Sequence, residues 1–507
     1  MEKGSPVAVL DIGTIALRLV VAQLFPKGEF RILDRAVRNC PLGKDVFETG
    51  RIGQETMLAA LQILKDFCEL LSGWGIPPQD VRVIATSALR EARNSDAFVE
   101  RVERELGLRI KVVEGIEQGH LTYLAVQKGL SRIKEFARTN ALILEVGGGS
   151  TEIMVFKRGK MVSSHSLNLG TVRLLKQVPG TLREWSRLEH FVREAILGIW
   201  ELLNSELPLE RIATYVAVGG DPRFVASRVG RREKLPFWRI SKEGFLAFLH
   251  ELKDLSPEDC VRKFSLSFAE AENLLPALLI HREFLLSTAA DELIVPDVSI
   301  REGVLVGMAL GSEVEREQEF YPQIIASAEN LARKFSSDLS HALFVRDLAL
   351  TLFDALSSLH GMDSHDRLVL EVAAILHDVG RFVHPERHEV HGAYLVRNSD
   401  LFGFSKGELE VAARVIELHR GAWVERIREI TDPAVRFRVK KLASLLRVAD
   451  ALDRSHRQRF VPAGVEVTER EVLVRSESGA GGEGEALALR EKGDLFEEVW
   501  GRRIRLV

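Results

Sequence analysis

The sequence predicts a duplicated α/β architecture followed by an all-α domain and a small β-rich C-terminal cap, and three observations lead to it. The first is a glycine-punctuated hairpin that occurs twice. An apolar run from residue 7 reaches Asp11-Ile12-Gly13-Thr14 and returns through Leu17-Arg18-Leu19-Val20-Val21, and residues 142–156 repeat the plan around Gly147-Gly148-Gly149. An acidic residue precedes the glycines each time, Asp11 in the first hairpin and Glu145 in the second. The second observation is the alternation of strand and helix patterns behind each hairpin, which marks α/β units. The third is a change of period beyond about residue 315, where apolar residues recur every three or four positions.

In order, residues 1–124 read as hairpin, helix 53–73, strand 81–86, helix 95–106, strand 110–113 and helix 117–129, the last leading into the second lobe. Residues 125–312 repeat the scheme with a hairpin, helices at 182–204, strand 215–218, further helices and a short strand at 292–295. A third glycine turn, Val218-Gly219-Gly220-Asp221, follows strand 215–218. The helical domain, 313–460, has its periodic segments at 324–359, 367–379, 405–419 and 436–452. The cap, 461–507, carries β-runs at 465–467 and 472–474 and the flexible composition Gly479-Ala480-Gly481-Gly482-Glu483-Gly484.

Bulk properties narrow the class. At 507 residues the chain exceeds one core. Its 69 Lys and Arg against 73 Asp and Glu leave a net charge of −4, which points to neither a nucleic-acid nor a membrane partner. Cys40, Cys68 and Cys260 lie far apart and are expected to be reduced structural thiols. No apolar run approaches the roughly 18 residues that span a bilayer, and residues 1–6 lead straight into a strand, so a soluble cytoplasmic protein is expected.

The turn at Gly147-Gly148-Gly149 is the leading candidate for anion chemistry. Without Cβ atoms, three glycines permit positive φ and bring N–H groups close to an anion, and Ser150 and Thr151 add hydroxyl donors. An ordinary tight hairpin is the alternative. What favours phosphate is the recurrence of related turns at Asp11 and at Gly219. A guanidinium fork suits the oxygens of a dense anion, and Arg90, after a strand end, is the best candidate; Arg18 serves either phosphate or a structural salt bridge.

Two such lobes facing a shared cleft resemble the actin, hexokinase and Hsp70 type of phosphotransfer fold, the ribonuclease H-like class, which hosts kinases, ATPases and phosphatases alike. Four ordered motifs narrow this: Asp11-Ile12-Gly13-Thr14 with Arg18; Ala85-Thr86-Ser87-Ala88-Leu89-Arg90-Glu91-Ala92-Arg93-Asn94; Gly147-Gly148-Gly149-Ser150-Thr151-Glu152; and Arg301-Glu302-Gly303-Val304-Leu305. Together they resemble the exopolyphosphatase/guanosine pentaphosphate phosphohydrolase (Ppx/GppA) family over residues 7–310. The resemblance implies a phosphate cradle of Thr14, Gly147, Gly148, Gly149, Ser150 and Thr151, with Arg18 and Arg90 on the phosphate oxygens. Asp11 and Glu145 would hold Mg2+ directly or through water, and Glu152 would support the metal or the attacking water.

The chain also departs from this family. Members carry two glutamates opening the helix before the second lobe, the second acting as general base; here Gln118 takes that place, next to Glu117. An amide orients water but takes no proton, and losing a general base costs about two to four orders of magnitude in rate. Glu145 stands for the usual aspartate, Asp221 for a threonine or serine, and Asp297 for the glycine region before Arg301-Glu302-Gly303.

The helical domain has its own constellation: His341, His377-Asp378, His391, His419 and Asp450. Each histidine alone is better explained by packing or capping, but six ordered residues around Ala374-Ile375-Leu376-His377-Asp378-Val379-Gly380-Arg381 resemble the HD metal-dependent phosphohydrolase superfamily. That resemblance implies a first metal on His341, His377, Asp378 and Asp450, and a second on His391 and His419, with His388 an open alternative to His391. The metal would be a divalent transition ion such as Mn2+, Fe2+ or Zn2+. Arg381, one turn after His377, would bind a phosphate.

The expected function is release of terminal orthophosphate from polyphosphate or guanosine pentaphosphate at the interlobe cleft, weakened by Gln118 at the base position. The alternative places hydrolysis at the HD site, with the lobes sensing polyphosphate or an alarmone such as guanosine pentaphosphate or tetraphosphate. A homodimer is expected from the long family members resembled here.

Overall fold

The computed structural model describes residues 6–130, 136, 138–178, 185–233, 236–311, 313–460, 462–476 and 483–507. They form two compact units, Met1–Arg316 and Glu317–Val507. Among them no helix is long and apolar enough to cross a membrane.

The first unit holds two sheets of matching plan. Strands β1 (Pro6–Ile12), β2 (Ala16–Leu24), β3 (Phe30–Asn39), β4 (Val81–Ala85) and β5 (Ile110–Val112) lie in the order β3-β2-β1-β4-β5. The first three are antiparallel, and β4 and β5 add on in parallel. The second sheet contains β6 (Asn140–Val146), β7 (Thr151–Lys157), β8 (Lys160–Leu167), β9 (Thr214–Val218), β10 (Arg231–Arg232), β11 (Phe237–Ser241) and β12 (Glu292–Pro296). Its order, β10-β11-β12-β9-β6-β7-β8, repeats the first plan and extends it by an antiparallel pair. The duplicated α/β unit expected from the two hairpins is therefore present, each hairpin gaining a third strand, β3 and β8.

Central strands such as β9 are apolar along their whole length because helices cover both faces. Helix Gln54–Gly73 buries Ala60, Leu61, Leu64, Phe67 and Leu71, a stripe at helical spacing. Helix Phe268–Leu286 starts at a capping box, with Ser267 accepting from Glu270 N and the Glu270 carboxylate returning the bond. Each lobe has its own core. The chain crosses between the lobes twice, through helices Gly115–Leu130 and Ile300–Ala309. These helices touch at Gly303, where a Cβ would lie 1.9 Å from the Leu121 carbonyl oxygen, so the crossing itself demands glycine there.

The second unit is helical, as the period change predicts. Helix Leu339–Ala355 is capped by Asp338, Ser364–Leu376 by an Asp363/Asp366 box, Lys406–Leu418 by a Ser405/Glu408 box, and Pro433–Ala451 by Asp432 with proline at its first position. The C-terminal segment is more mixed than the expected β-rich cap. Strands β13 (Pro462–Val467), β14 (Glu471–Ser476) and β15 (Arg503–Leu506) are joined by helices Glu483–Lys492 and Asp494–Trp500. The glycines Gly479, Gly481 and Gly482 lie outside the described residues, as do the first positions of the helix expected at 182–204, which is seen as Trp185–Glu206.

Candidate active site and candidate metal centre

The two hairpins bring their acids to facing strand ends. Asp11 is the cross-strand partner of Arg18, and Glu145 that of Glu152. Asp11 is buried, and that burial raises its pKa against the opposing charges of Arg18 and Arg301. Glu145 is likewise raised by burial, and it accepts a hydrogen bond from the Thr122 hydroxyl. Burial and the charge of Glu145 push Glu152 up to about 8. Its Oε1 accepts from Ser150 Oγ at 2.8 Å and Ser166 Oγ at 3.2 Å, while Oε2 has no partner among the described residues.

Gln118 and Thr122 lie one turn apart on helix Gly115–Leu130 and so share the face turned to Glu145. The buried Gln118 Oε1 is also without a partner among the described residues. Glu117, rotated by about 100°, forms an ion pair with Lys111 instead. Glu117 as a cleft base is thereby corrected: the inward position belongs to Gln118, and the neighbouring carboxylate is spent on the outside of the helix.

The glycine turn serves a different physical end from the one its composition suggests. None of Gly147, Gly148 and Gly149 enters the left-handed region. They are small because the other lobe presses against them. A Cβ on Gly148 would lie 2.8 Å from Thr14 Cγ2, and one on Gly149 2.4 Å from Ser87 Oγ and 2.5 Å from Phe47 Cζ. Thr14 Oγ1 meets Ser87 Oγ at 3.1 Å. Of the two hydroxyls assigned to the cradle, Ser150 donates to Glu152, on whose strand face it lies. The fully buried Thr151 points the other way and donates to the Leu169 carbonyl, so its side chain is structural.

Arg90 donates to the Val113 carbonyl at 2.7 Å, and its charge bears on Glu152. Arg301 is buried, bonds Ser299 Oγ at 3.1 Å, and bears on both Asp11 and Glu145. The substituted carboxylates also meet arginines. Burial pushes Asp221 up to about 7 against the charge of Arg18, and Asp297 lies 4.0 Å from Arg223 Nε. Asp11, Glu145 and Glu152 bear on one another electrostatically and are of the oxygen-donor type a hard divalent cation takes, and Glu152 Oε2 has no partner among the described residues.

In the second unit, among the described residues, His341, His377 and Asp450 fall at ligand spacing, as do Asp378, His388 and His419, and His341, Asp378 and His456. His341 Nε2 and His377 Nε2 are 3.2 Å apart, with Asp450 Oδ1 3.6 and 3.8 Å from them. His388 Nε2 is 3.3 Å from His419 Nε2 and 3.2 Å from Asp378 Oδ1.

The far side of each ring decides its protonation. Nδ1 of His377, His388 and His419 faces the carbonyls of Ala374, Pro385 and Ile416 at 2.7, 3.0 and 2.6 Å, and Nδ1 of His341 faces Asp453 Oδ2 at 2.8 Å. Carbonyls and carboxylates only accept, so each Nδ1 carries the hydrogen and each Nε2 is turned toward the cluster; for His341, buried as it is, the carboxylates of Asp450 and Asp453 raise the pKa. Burial lowers the pKa of His377 and His419, keeping both rings neutral. Imidazole nitrogens and carboxylate oxygens gathered at ligand spacing, with the two Nε2 pairs 3.2 Å and 3.3 Å apart, form a donor set that fits a divalent transition metal.

Five of the six residues expected here converge. His391 is the exception, and His388 replaces it: the helix begins at His388, and three residues later the backbone has risen about 4.5 Å and carried His391 along the axis. Sequence reasoning also missed Asp453, which orients His341, and Lys492, whose ammonium forms an ion pair with the second oxygen of Asp450. It missed His456 as well, stacked on His341 with centroids 3.6 Å apart. None of these lies in a motif; each arrives from a distant segment. Arg381, expected on phosphate, lies 2.9 Å from Asp378 Oδ2.

A two-lobed α/β cleft of this kind serves several phosphotransfer reactions, and the family comparison distinguishes among them. Residues 20–312 match the model of the Ppx/GppA phosphatase family and residues 325–477 that of Ppx/GppA phosphatase domain III, so the chain belongs to this family. An exopolyphosphatase from Cytophaga hutchinsonii is 21% identical, with a TM-score of 0.54 over 61% of this chain and 99% of that one. An exopolyphosphatase-like protein is 20% identical, with a TM-score of 0.51 over 61% and 98%. The Aquifex aeolicus Ppx/GppA family member is 28% identical, with a TM-score of 0.48 over 61% and 98%. The first two likenesses establish the fold of the α/β part.

Proposed function

We propose that the chain hydrolyses terminal phosphoanhydride bonds at the interlobe cleft, releasing orthophosphate from polyphosphate or from guanosine pentaphosphate. Mg2+ held by Asp11 and Glu145 would supply charge neutralisation for the phosphoryl oxygens. Arg90, Arg18 and Arg301 pair with the remaining oxygens and fix the terminal phosphate in line with water. Gln118 accepts one hydrogen of that water and orients it. The proton is taken by Glu152. The bond to the bridging oxygen breaks as the water–phosphorus bond forms.

The observation that carries this reading is the pair of buried acceptors without partners, Gln118 Oε1 and Glu152 Oε2. A Gln118→Glu variant restores a proton acceptor at the water and is expected to raise orthophosphate release by roughly 10- to 100-fold. An unchanged rate on both substrates would remove Gln118 from the water site.

A second reading is favoured by one specific feature, the convergence of four histidine Nε2 atoms in the helical unit. On this reading the unit is an HD-type domain whose His341, His377, Asp378, His388, His419 and Asp450 hold transition metal and hydrolyse a phosphoester, while the lobes sense polyphosphate or an alarmone. Its test is metal content together with phosphohydrolase activity in a His377→Ala, Asp378→Ala double variant. Loss of metal with full retention of both orthophosphate release and phosphodiesterase activity would refute it.

A further inference from the structure

The carbonyls of the glycine turn are all held by one short helix. Thr171 N donates to the Gly147 carbonyl at 3.0 Å, Val172 N to that of Gly148 at 2.9 Å, and Arg173 Nε to that of Gly149 at 3.0 Å. Helix Thr171–Gln177 thus sets which way the turn's peptide planes point. A Cβ on Gly170 would lie 2.4 Å from the Gly149 carbonyl carbon, which keeps helix and turn in direct contact.

The same helix is clasped to the opposite lobe. Arg173 Nη2 donates to both carboxylate oxygens of Glu91, at 2.5 and 2.7 Å, and its guanidinium lies 4.4 Å from the centre of the Phe47 ring. Lys176 forms an ion pair with Glu48 one turn further on. Glu91 directly follows Arg90, and Phe47 is the residue whose ring abuts Gly149. One side chain therefore touches the phosphate turn, the segment carrying Arg90, and the aromatic that limits the turn's space. The lobes are also joined by the two crossing helices, Gly115–Leu130 and Ile300–Ala309.

We propose that Arg173 is a positioning residue that couples lobe closure to the orientation of the glycine turn. The inference rests on the cleft being the hydrolytic site. When the lobes close, Glu91 and Phe47 orient the guanidinium, and its Nε then holds the Gly149 carbonyl in the geometry that receives a terminal phosphate. When they part, the turn loses that bond and the substrate end is free to leave.

The test uses the full chain with Mg2+, scoring orthophosphate release from polyphosphate and from guanosine pentaphosphate, and amide hydrogen exchange over residues 147–151. Arg173→Ala is expected to lower kcat roughly 10- to 100-fold with a smaller change in KM, and to speed exchange at those amides. Arg173→Lys, which keeps the cation but not the fork, should fall in between, and it serves if the alanine variant does not fold. The charge swap Arg173→Glu with Glu91→Arg rebuilds the interlobe pair without the Gly149 bond. Its kcat should stay low; recovery to the wild-type value would reduce Arg173 to a simple tether and overturn the proposal. Unchanged exchange in Arg173→Ala would overturn it as well. If the wild-type chain released orthophosphate from neither substrate, the hydrolytic reading would fail, while exchange at 147–151 would still decide the coupling.

Discussion

The cleft and the histidine cluster gather charged and metal-ligating side chains in opposite ways. In the cleft, Asp11, Glu145 and Glu152 are crowded and buried with acceptors left open, and the residues that answer their charge are arginines from several elements. In the helical unit each of the four histidines His341, His377, His388 and His419 has a dedicated partner behind it, a carbonyl three residues upstream or Asp453, that fixes the ring. The contrast teaches where substitution is tolerated. A cleft organised by long-range charge absorbs Glu145, Asp221 and Asp297 because Arg18, Arg223 and Arg301 compensate. The histidine cluster is organised instead by directed hydrogen bonds.

The largest expected effect would break the comparison outright. Glu152→Gln removes the remaining proton acceptor of the cleft and should lower orthophosphate release by about two to four orders of magnitude, measured on polyphosphate at saturating Mg2+. A rate that falls less than tenfold would shift the chemistry toward the helical unit. Next in size, His377→Ala with Asp378→Ala is expected to abolish bound transition metal, read by elemental analysis of the purified chain, with cleft hydrolysis retained.

Gly149→Ala should come third. Its methyl group would overlap Ser87 and Phe47, and overpacking of this kind costs about 1–3 kcal/mol. Denaturant unfolding of the first unit should register the loss, and Gly149→Ala should also reduce kcat. An unaltered midpoint and rate would mean that the lobes part more readily than their contacts suggest.

A pH effect, confined to acid solution, sharpens the contrast through a histidine outside the cluster. His281 is buried in the second lobe with Tyr215 Oη 3.1 Å from Nδ1 and no acid bearing on it among the described residues, and burial lowers its pKa to about 3. The folded state keeps it neutral, whereas the unfolded chain protonates it below about 6.5. Its contribution to stability is therefore complete above that pH and declines by about 1.4 kcal/mol per unit as pH falls toward 3. His281→Phe should flatten the acid limb of the stability curve. An identical slope in the variant would show that the ring is already solvated or paired.

Much of this arrangement was legible in sequence. Hairpin repetition revealed the duplicated lobes, because alternation of apolar residues between glycine turns has few other outcomes, and the change of period marked the helical unit. Of the six residues that the resemblance to the HD superfamily implies for a metal site, five lie together in the structure. His388 was ambiguous with His391 because three residues along a helix differ little in sequence pattern but by about 4.5 Å in height. The roles of Thr151 and Glu117 were hidden for a related reason: one residue along a strand or helix reverses or rotates a side chain, and only the registered neighbours, Leu169 and Lys111, reveal which way it went.

The sequence by itself determined the local chemistry: which segments become strands and helices, that acids precede glycine turns, and that histidine and aspartate accumulate at helix ends. Those properties follow from propensity and period, which act over a few residues. Only the tertiary structure decided what the glycines are for, that Gln118 and not Glu117 faces Glu145, that Asp453 and Lys492 reach the metal-centre residues, and that Arg173 ties the turn to the other lobe. These depend on contacts between residues 82 or more positions apart in the case of Arg173 and Glu91, and 112 apart for His341 and Asp453. Nothing in the short-range pattern encodes such distances; they are set when the two sheets and the helices pack.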